Sequence, residues 1–143
     1  MSALELSVGG TPAFVSLAGP APTADRPALV LLHGAGGDHT AWFQVSRALA
    51  ADGTTVLAPD LPGNGRSAGR MPASIPALAD WLWQLLDAAG AGRVVLAGHS
   101  LGSLLALEAA GGAPDRVAGL ALLATALPMA VSPDLLAMAQ ADP

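Results

Sequence analysis

One stretch, VVLAGHSLG at residues 94–102, constrains the fold more than any other part of the chain. It begins as an apolar, β-branched run typical of a buried strand, and from Ser103 onward it continues into residues that favour a helix. A Gly-x-Ser-x-Gly pattern between a strand and a helix is the context that gives the serine a chemical meaning. We therefore expect Ser100 at the tip of a sharp turn, with a positive φ, at the first turn of a helix.

The glycines Gly98 and Gly102 are expected where this turn presses against the adjacent strand and helix and leaves no room for a Cβ atom. Because 17 of the 143 residues are glycine, the pattern also arises by composition alone, and a tightly packed turn without chemistry would look similar. The strand before it and the helix after it favour a nucleophilic serine over this alternative.

Composition bounds the fold class and excludes several kinds of partner. A chain of 143 residues with 52% hydrophobic and 12% charged residues predicts one globular domain with buried strands. The net charge of −5, with six arginines and no lysine, argues against nucleic-acid binding and excludes a P-loop lysine. The absence of cysteine excludes disulfides, a thiol nucleophile and thiolate metal sites, and we predict no metal and no cofactor. Since neither a secretion signal nor an uncharged run long enough for a membrane span is visible, we expect a cytoplasmic protein without membrane contact.

Apolar runs divide the chain into alternating strands and helices. Two short strands, at 4–8 and 12–17, are expected to form an antiparallel hairpin. Four buried strands are expected at 28–32, 54–58, 93–97 and 117–123, alternating with helices at 40–51, 74–89, 100–111 and from 133 onward. In the first helix, Trp42, Val45 and Leu49 are expected to face the core. This order predicts an α/β fold, with a mostly parallel central sheet, flanking helices and an N-terminal antiparallel hairpin.

The loops that follow parallel strands meet at one edge of such a sheet, and ligands bind there. A serine nucleophile needs hydrogen-bond donors for the oxyanion that forms when it attacks a carbonyl carbon. The backbone N–H of Leu101, directly after the nucleophile, is one expected donor. The glycine-rich loop at 33–37 supplies the other, which we assign to the N–H of Ala35.

A rival interpretation is nucleotide binding. A strand, a glycine-rich turn at 34–37, a helix and then Asp60 about twenty residues on resemble a dinucleotide-binding fingerprint. The fingerprint fails in detail, because its third glycine would fall at His39 and the helix begins late. It also leaves residues 98–102 unexplained, so we favour the serine nucleophile.

Three motifs together carry a family resemblance: VLLHG at 30–34, DLPGNGRS at 60–67 and GHSLG at 98–102. In this order and at these separations they resemble the α/β-hydrolase fold family, and most closely its small single-domain esterases and related C–C-bond hydrolases. The resemblance covers essentially the whole chain but corresponds to the first half of the family's domain. It implies an incomplete α/β-hydrolase fold, with a core at 1–128 and the start of a lid at 129–143.

The family's chain order places the triad acid and histidine after the nucleophile, and no histidine follows Ser100 in this sequence. Of the three histidines present, His33 is expected to fix the oxyanion loop, and His39 to be a surface or capping residue. His99 is expected to direct its ring into the fold. Asp60 resembles the family's turn-bracing aspartate and not its triad acid.

The sequence therefore predicts a serine hydrolase for small-molecule carboxylic esters or related acyl compounds, with Ser100 as nucleophile and Ala35 and Leu101 as oxyanion donors. Two classes of function stay open, because the base and the acid are missing. One is an enzyme completed by residues beyond Pro143 or by a second chain, and the other is a truncated, non-catalytic binding or interaction domain. The last strand, 117–123, is expected to leave an apolar edge through which the chain self-associates or binds a complementing C-terminal half.

Overall fold

The computed structural model describes residues 1–141, and six strands in this range form one sheet. The strands are β1 (Ser2–Val8), β2 (Thr11–Ala18), β3 (Ala28–Leu32), β4 (Val56–Pro59), β5 (Val94–His99) and β6 (Val117–Leu123). The α-helices are α1 (Phe43–Ala50), α2 (Ile75–Ala88), α3 (Leu101–Gly112) and α4 (Pro133–Ala141), and short 3₁₀ helices cover His39–Trp42 and Pro114–Arg116. The last two residues of the predicted lid, 142 and 143, lie outside the described residues. No helix within residues 1–141 has the length and apolar character needed to cross a bilayer.

The sheet has the strand order β1-β2-β4-β3-β5-β6. β1 pairs antiparallel with β2, and β2 pairs antiparallel with β4, whereas β4, β3, β5 and β6 run parallel to one another. This confirms the predicted α/β fold with an N-terminal antiparallel hairpin. Because β5 lies between β3 and β6, the turn at its carboxyl end lies between the segments that follow those two strands.

Most of the core lies on one face of the sheet, under α2 and α3. Ser74 caps α2 by accepting a hydrogen bond from the N–H of Ala77, and the helix presents a buried leucine stripe that includes Leu78, Leu82 and Leu85. The opposite face holds a smaller cluster that includes Leu31, against which α1 packs. Within the described residues, one face of the sheet is therefore thickly covered, and the other is covered mainly near β2, β3 and β4.

The prediction for the inward face of the first helix is confirmed for Trp42 and wrong for Val45 and Leu49. Val45 and Leu49 are exposed, and the residues that face the sheet are Trp42, Ser46 and Ala50. These inward residues follow one another at i, i+4 and i+8, which is ordinary α-helical spacing. Hydrophobic periodicity missed this face because Ser46 and Ala50 are small, whereas the exposed Val45 and Leu49 are strongly apolar.

The prediction that 117–123 is a buried strand is also wrong. β6 is present, but its leucines Leu120, Leu122 and Leu123 are about two-fifths exposed (40%, 39% and 43%). β6 is the edge strand and pairs with β5 alone, while α3 packs beside part of it. A continuous apolar run is typical of a strand covered on both faces, and it carries no information about which strand is at the edge.

Candidate active site

The turn between β5 and α3 holds Ser100 in an unusual backbone conformation, with φ 54° and ψ −118°. This confirms the predicted positive φ, which is uncommon for any residue other than glycine. The N–H of Ser100 donates to the carbonyl oxygen of Leu123 at the end of β6 (3.0 Å). Its own carbonyl oxygen accepts from the N–H (2.9 Å) and the hydroxyl (2.5 Å) of Ser103. The strained turn is therefore fixed from the edge strand and from the helix together.

The two glycines that flank the turn are required by close backbone approach. A Cβ atom on Gly98 would overlap the carbonyl oxygen of Gly102. A Cβ atom on Gly102 would overlap the carbonyl oxygens of Leu32 and His33 at the end of β3. The steric role predicted for these glycines is confirmed.

The hydroxyl of Ser100 is half-buried and lies beside the thioether of Met129, with 4.0 Å between Oγ and Sδ. Within residues 1–141, no other side chain lies within hydrogen-bonding distance of this oxygen. Ser100 also precedes the first turn of α3, where the helix dipole favours developing negative charge. The sequence gives no signal for Met129, because it lies in an irregular segment between β6 and α4.

The loop after β3 runs beside the serine. A Cβ atom built on Gly34 would lie 3.4 Å from the Cβ of Ser100. The next residue, Ala35, is exposed, and Leu101 begins α3, so that its N–H has no acceptor within the helix. Neither N–H has a hydrogen-bond acceptor in the described part of the chain. Their assignment as oxyanion donors stays a prediction.

His33 is buried at the base of this loop and uses both ring nitrogens. Its Nε2 accepts a hydrogen bond from the N–H of Leu61 (3.0 Å), which requires the proton to sit on Nδ1. Nδ1 then donates to the carbonyl oxygen of Gly34 (2.7 Å). His33 therefore fixes the loop beside Ser100, as predicted, and has no free ring nitrogen for proton transfer.

Asp60 is fully buried and joins the loop after β4 to the start of the first helix. Its carboxylate accepts hydrogen bonds from the N–H of His39 (2.6 Å), from Nδ1 of His39 (2.8 Å) and from the N–H of Arg66 (2.8 Å). The predicted turn-bracing role of Asp60 is confirmed. The prediction that His39 is a surface or capping residue is wrong, because its side chain is only 20% exposed and Asp60 binds both its ring and its N–H.

Asp38, His39 and Asp60 place ligand-type atoms within 4.8 Å of one another. Asp38 caps the 3₁₀ helix, since its Oδ1 accepts from the N–H (2.8 Å) and the hydroxyl (2.5 Å) of Thr40. The bond from the Thr40 hydroxyl, followed by the bond from its N–H, lowers the pKa of Asp38 below its ordinary value. These hydrogen bonds and those of Asp60 account for the three side chains as parts of the fold.

The prediction that His99 directs its ring into the fold is wrong. Its side chain is exposed and lines an open cleft of about 300 Å³, together with Trp42 and Leu123. His99 is paired with Leu123 of β6 in the register of the sheet, beyond the part of that face that α1 covers. The ring does not bond the hydroxyl of Ser100.

Known proteins with similar sequences and structures were compared with the chain. The family model described as alpha/beta hydrolase fold matches residues 27–142. Over 99 residues the chain is 44% identical to the dihydrolipoyllysine-residue acetyltransferase component of the acetoin cleaving system of Pseudomonas putida, covering 68% of this chain and 26% of that protein. Over 98 residues it is 41% identical to lipase LipV of Mycobacterium tuberculosis, covering 68% of this chain and 37% of the lipase.

A solved structure extends the comparison to the fold. Epoxide hydrolase A from Mycobacterium thermoresistibile is 31% identical, with a TM-score of 0.74 over 98% of this chain and 44% of that protein. The chain spans about a quarter to just over a third of the length of the two curated relatives. These matches confirm the family resemblance that the three sequence motifs indicated.

Proposed function

Because the chain belongs to the α/β-hydrolase fold family, we propose that it carries the nucleophile and the oxyanion donors of a serine hydrolase for carboxylic esters or related acyl compounds. Two of the similar proteins are named a lipase and an epoxide hydrolase, and both names denote hydrolases. That the substrate of this chain is an ester is our proposal. One observation carries it: the hydroxyl of Ser100 stands at a strained strand-to-helix turn, and the thioether of Met129 is the one polar side-chain atom near it among the described residues.

In this proposal the Oγ of Ser100 attacks the carbonyl carbon of the substrate and gives up its proton to a base. As the new C–O bond forms, the π electron pair moves to the carbonyl oxygen, and the N–H groups of Ala35 and Leu101 stabilise that charge. Collapse of the tetrahedral intermediate expels the alcohol, which takes the proton from the base. Water then attacks the acyl-serine and releases the carboxylic acid, which restores the hydroxyl.

The base of this reaction is proposed to be a histidine outside residues 1–143, supplied by further residues of the same protein or by a second chain. His33 has both ring nitrogens engaged, and His39 is bonded to Asp60. The ring of His99 lies in the neighbouring cleft without a bond to Ser100. A base needs hydrogen-bond reach to the proton it accepts, and none of the three supports that role.

The proposal is tested with a fluorophosphonate, which phosphorylates an activated serine, with and without added imidazole as an external base. We expect slow labelling of Ser100 that imidazole accelerates, because in this proposal the chain supplies the nucleophile and the oxyanion donors and lacks only the proton acceptor. Ser100→Ala should lose this imidazole-dependent labelling. Ser7→Ala should keep it, since that hydroxyl is exposed on β1, the edge strand opposite β6. Peptide mass spectrometry gives the labelled site.

Equal labelling of the wild-type protein and Ser100→Ala would exclude an activated nucleophile. The second function class, a non-catalytic binding or interaction domain, would then be favoured. The observation behind that class is that no histidine of the described residues bonds the hydroxyl of Ser100.

A further inference from the structure

The segment between β6 and α4 passes over the turn that holds Ser100. Its start is fixed, because Leu123 accepts the N–H of Ser100, and Ala124 then changes the chain direction with a φ of 52°. Five residues later, the Sδ of Met129 lies 4.0 Å from the Oγ of Ser100. This is van der Waals contact, so no further heavy atom fits between sulfur and oxygen.

Met129 differs from its neighbours in the direction of its side chain. In the segment 126–132 the other residues are exposed, with Leu127 at 71%, whereas Met129 is half-buried. This irregular segment thus turns one apolar side chain inward, onto the hydroxyl of Ser100. The side chain therefore covers Ser100 from the direction of β6.

The strand order assigns the two sides of the serine to different parts of the chain. Ser100 follows β5, the loop with Gly34 and Ala35 follows β3 on one side, and Met129 follows β6 on the other. A carbonyl oxygen that turns toward the N–H of Ala35 leaves a substituent of the carbonyl carbon directed to the β6 side. That substituent meets Met129.

We infer that Met129 is a specificity-determining residue, a wall that limits the size of the group next to the reacting carbonyl. This rests on the proposed function of Ser100. Methionine is unbranched, flexible and polarizable, so it adapts to small or unbranched apolar groups and still occupies the space that a bulky or branched group would need. Its thioether is only a weak hydrogen-bond acceptor and does not tie down the serine proton. The substrate class is therefore esters and related acyl compounds with a small or unbranched group on this side.

The test replaces the serine by a thiol, so that reactivity does not depend on a catalytic base. The chain has no cysteine, and Ser100→Cys therefore carries one thiol at the position in question. Alkyl methanethiosulfonates react with it as the thiolate attacks the sulfenyl sulfur, forms a mixed disulfide and expels methanesulfinate. Rates are measured by intact mass spectrometry with a methyl and a benzyl reagent. Each rate is divided by the rate of the same reagent with glutathione.

We expect the methyl reagent to react on the order of tenfold faster than the benzyl reagent in Ser100→Cys. Adding Met129→Ala should remove most of this preference, because it opens the β6 side. Adding Met129→Leu should keep it, since leucine has a similar volume. The matched control is Leu127→Ala, which shortens an exposed apolar side chain in the same segment and should leave the preference unchanged.

A normalised methyl-to-benzyl ratio near one in Ser100→Cys, or a ratio that Met129→Ala leaves unchanged, would overturn the inference. Circular dichroism of each variant confirms that the compared proteins are folded. The proposed function fails separately, in the fluorophosphonate experiment on Ser100 itself, because the thiol reaction requires neither an oxyanion site nor a base.

Discussion

At Ser100 the backbone conformation and the two flanking glycines depend on one another. The positive φ of Ser100 bends the chain so sharply that Gly98 comes against the carbonyl oxygen of Gly102. Gly102 in turn lies against the end of β3, so its backbone cannot move away from Gly98. The serine thus keeps its strained geometry through backbone packing that tolerates no side chain at either position.

A matched pair of glycine substitutions, one in β5 and one in α3, tests this packing. We expect Gly98→Ala to lower the free energy of unfolding by about 2–3 kcal/mol, because its Cβ would overlap the backbone of Gly102. Gly111→Ala lies in α3 with open space around the added Cβ, and should raise it by about 0.5–1 kcal/mol. Urea denaturation measures both values. Equal effects of the two substitutions would contradict the steric explanation.

At the scale of elements, two buried side chains tie loops that are distant in the sequence. His33 joins the loop after β3 to Leu61, and Asp60 joins the loop after β4 to His39. The motifs were sufficient to predict that His33 and Asp60 have bracing roles. They did not identify the bonding partners, because a partner across the fold leaves no local pattern near the bracing residue.

The order and approximate position of the strands and helices were predictable from local sequence patterns. Which of their side chains face the core was not. Local propensity and apolar runs place β3 at 28–32, as in the structure. The inward face of α1 holds the small residues Ser46 and Ala50, which pack close to the sheet, and the exposure of β6 depends on which strand is last in the sheet. Both are decided by contacts between elements. The outward ring of His99 has the same origin, since within residues 1–141 it lies in an open cleft beside Trp42 and Leu123.

The cap of the first helix should depend on pH. The hydrogen bonds from Thr40 lower the pKa of Asp38 from its ordinary value of 3.8, because they favour the ionised carboxylate in the folded state. Its contribution to stability is therefore complete above the unfolded value and is lost as the pH falls through the lower folded value. We expect Asp38→Ala to lower the Tm at pH 7 and to have a smaller effect near pH 3.

Thermal melts of the wild-type protein and the variant at both pH values measure this difference. Asp80→Ala, which removes an exposed carboxylate on α2, controls for the change in net charge. An effect of Asp38→Ala that is equally large at both pH values would contradict the role of the ionised cap.

At the scale of the whole molecule, apolar surface is distributed unevenly. One edge of the sheet is the hairpin strand β1, and the other is β6, whose sequence VAGLALL contains no charged residue. Its leucines are partly exposed on an edge with unpaired N–H and C=O groups. An apolar edge without charges is a template for pairing with another strand.

We therefore expect the 143-residue chain to associate through β6, with a second copy or with a complementing C-terminal half. Sedimentation velocity should show a sedimentation coefficient that rises with protein concentration. Leu122→Lys puts a charge on the edge strand and should shift the protein toward the monomer, because edge lysines oppose strand pairing. Leu127→Lys adds the same charge at an exposed position outside the strand, and should have little effect. A wild-type protein that stays monomeric and unfolds cooperatively at all concentrations would contradict this expectation.

The hydrogen bond from the N–H of Ser100 to the carbonyl oxygen of Leu123 connects this edge strand to the candidate active site. β6, the strand available for pairing, is also the strand whose last carbonyl oxygen accepts the N–H of Ser100. A partner that pairs with β6 and a ligand that contacts Ser100 would therefore act on the same hydrogen bond, and if either one changes the affinity for the other, the change is equal in both directions.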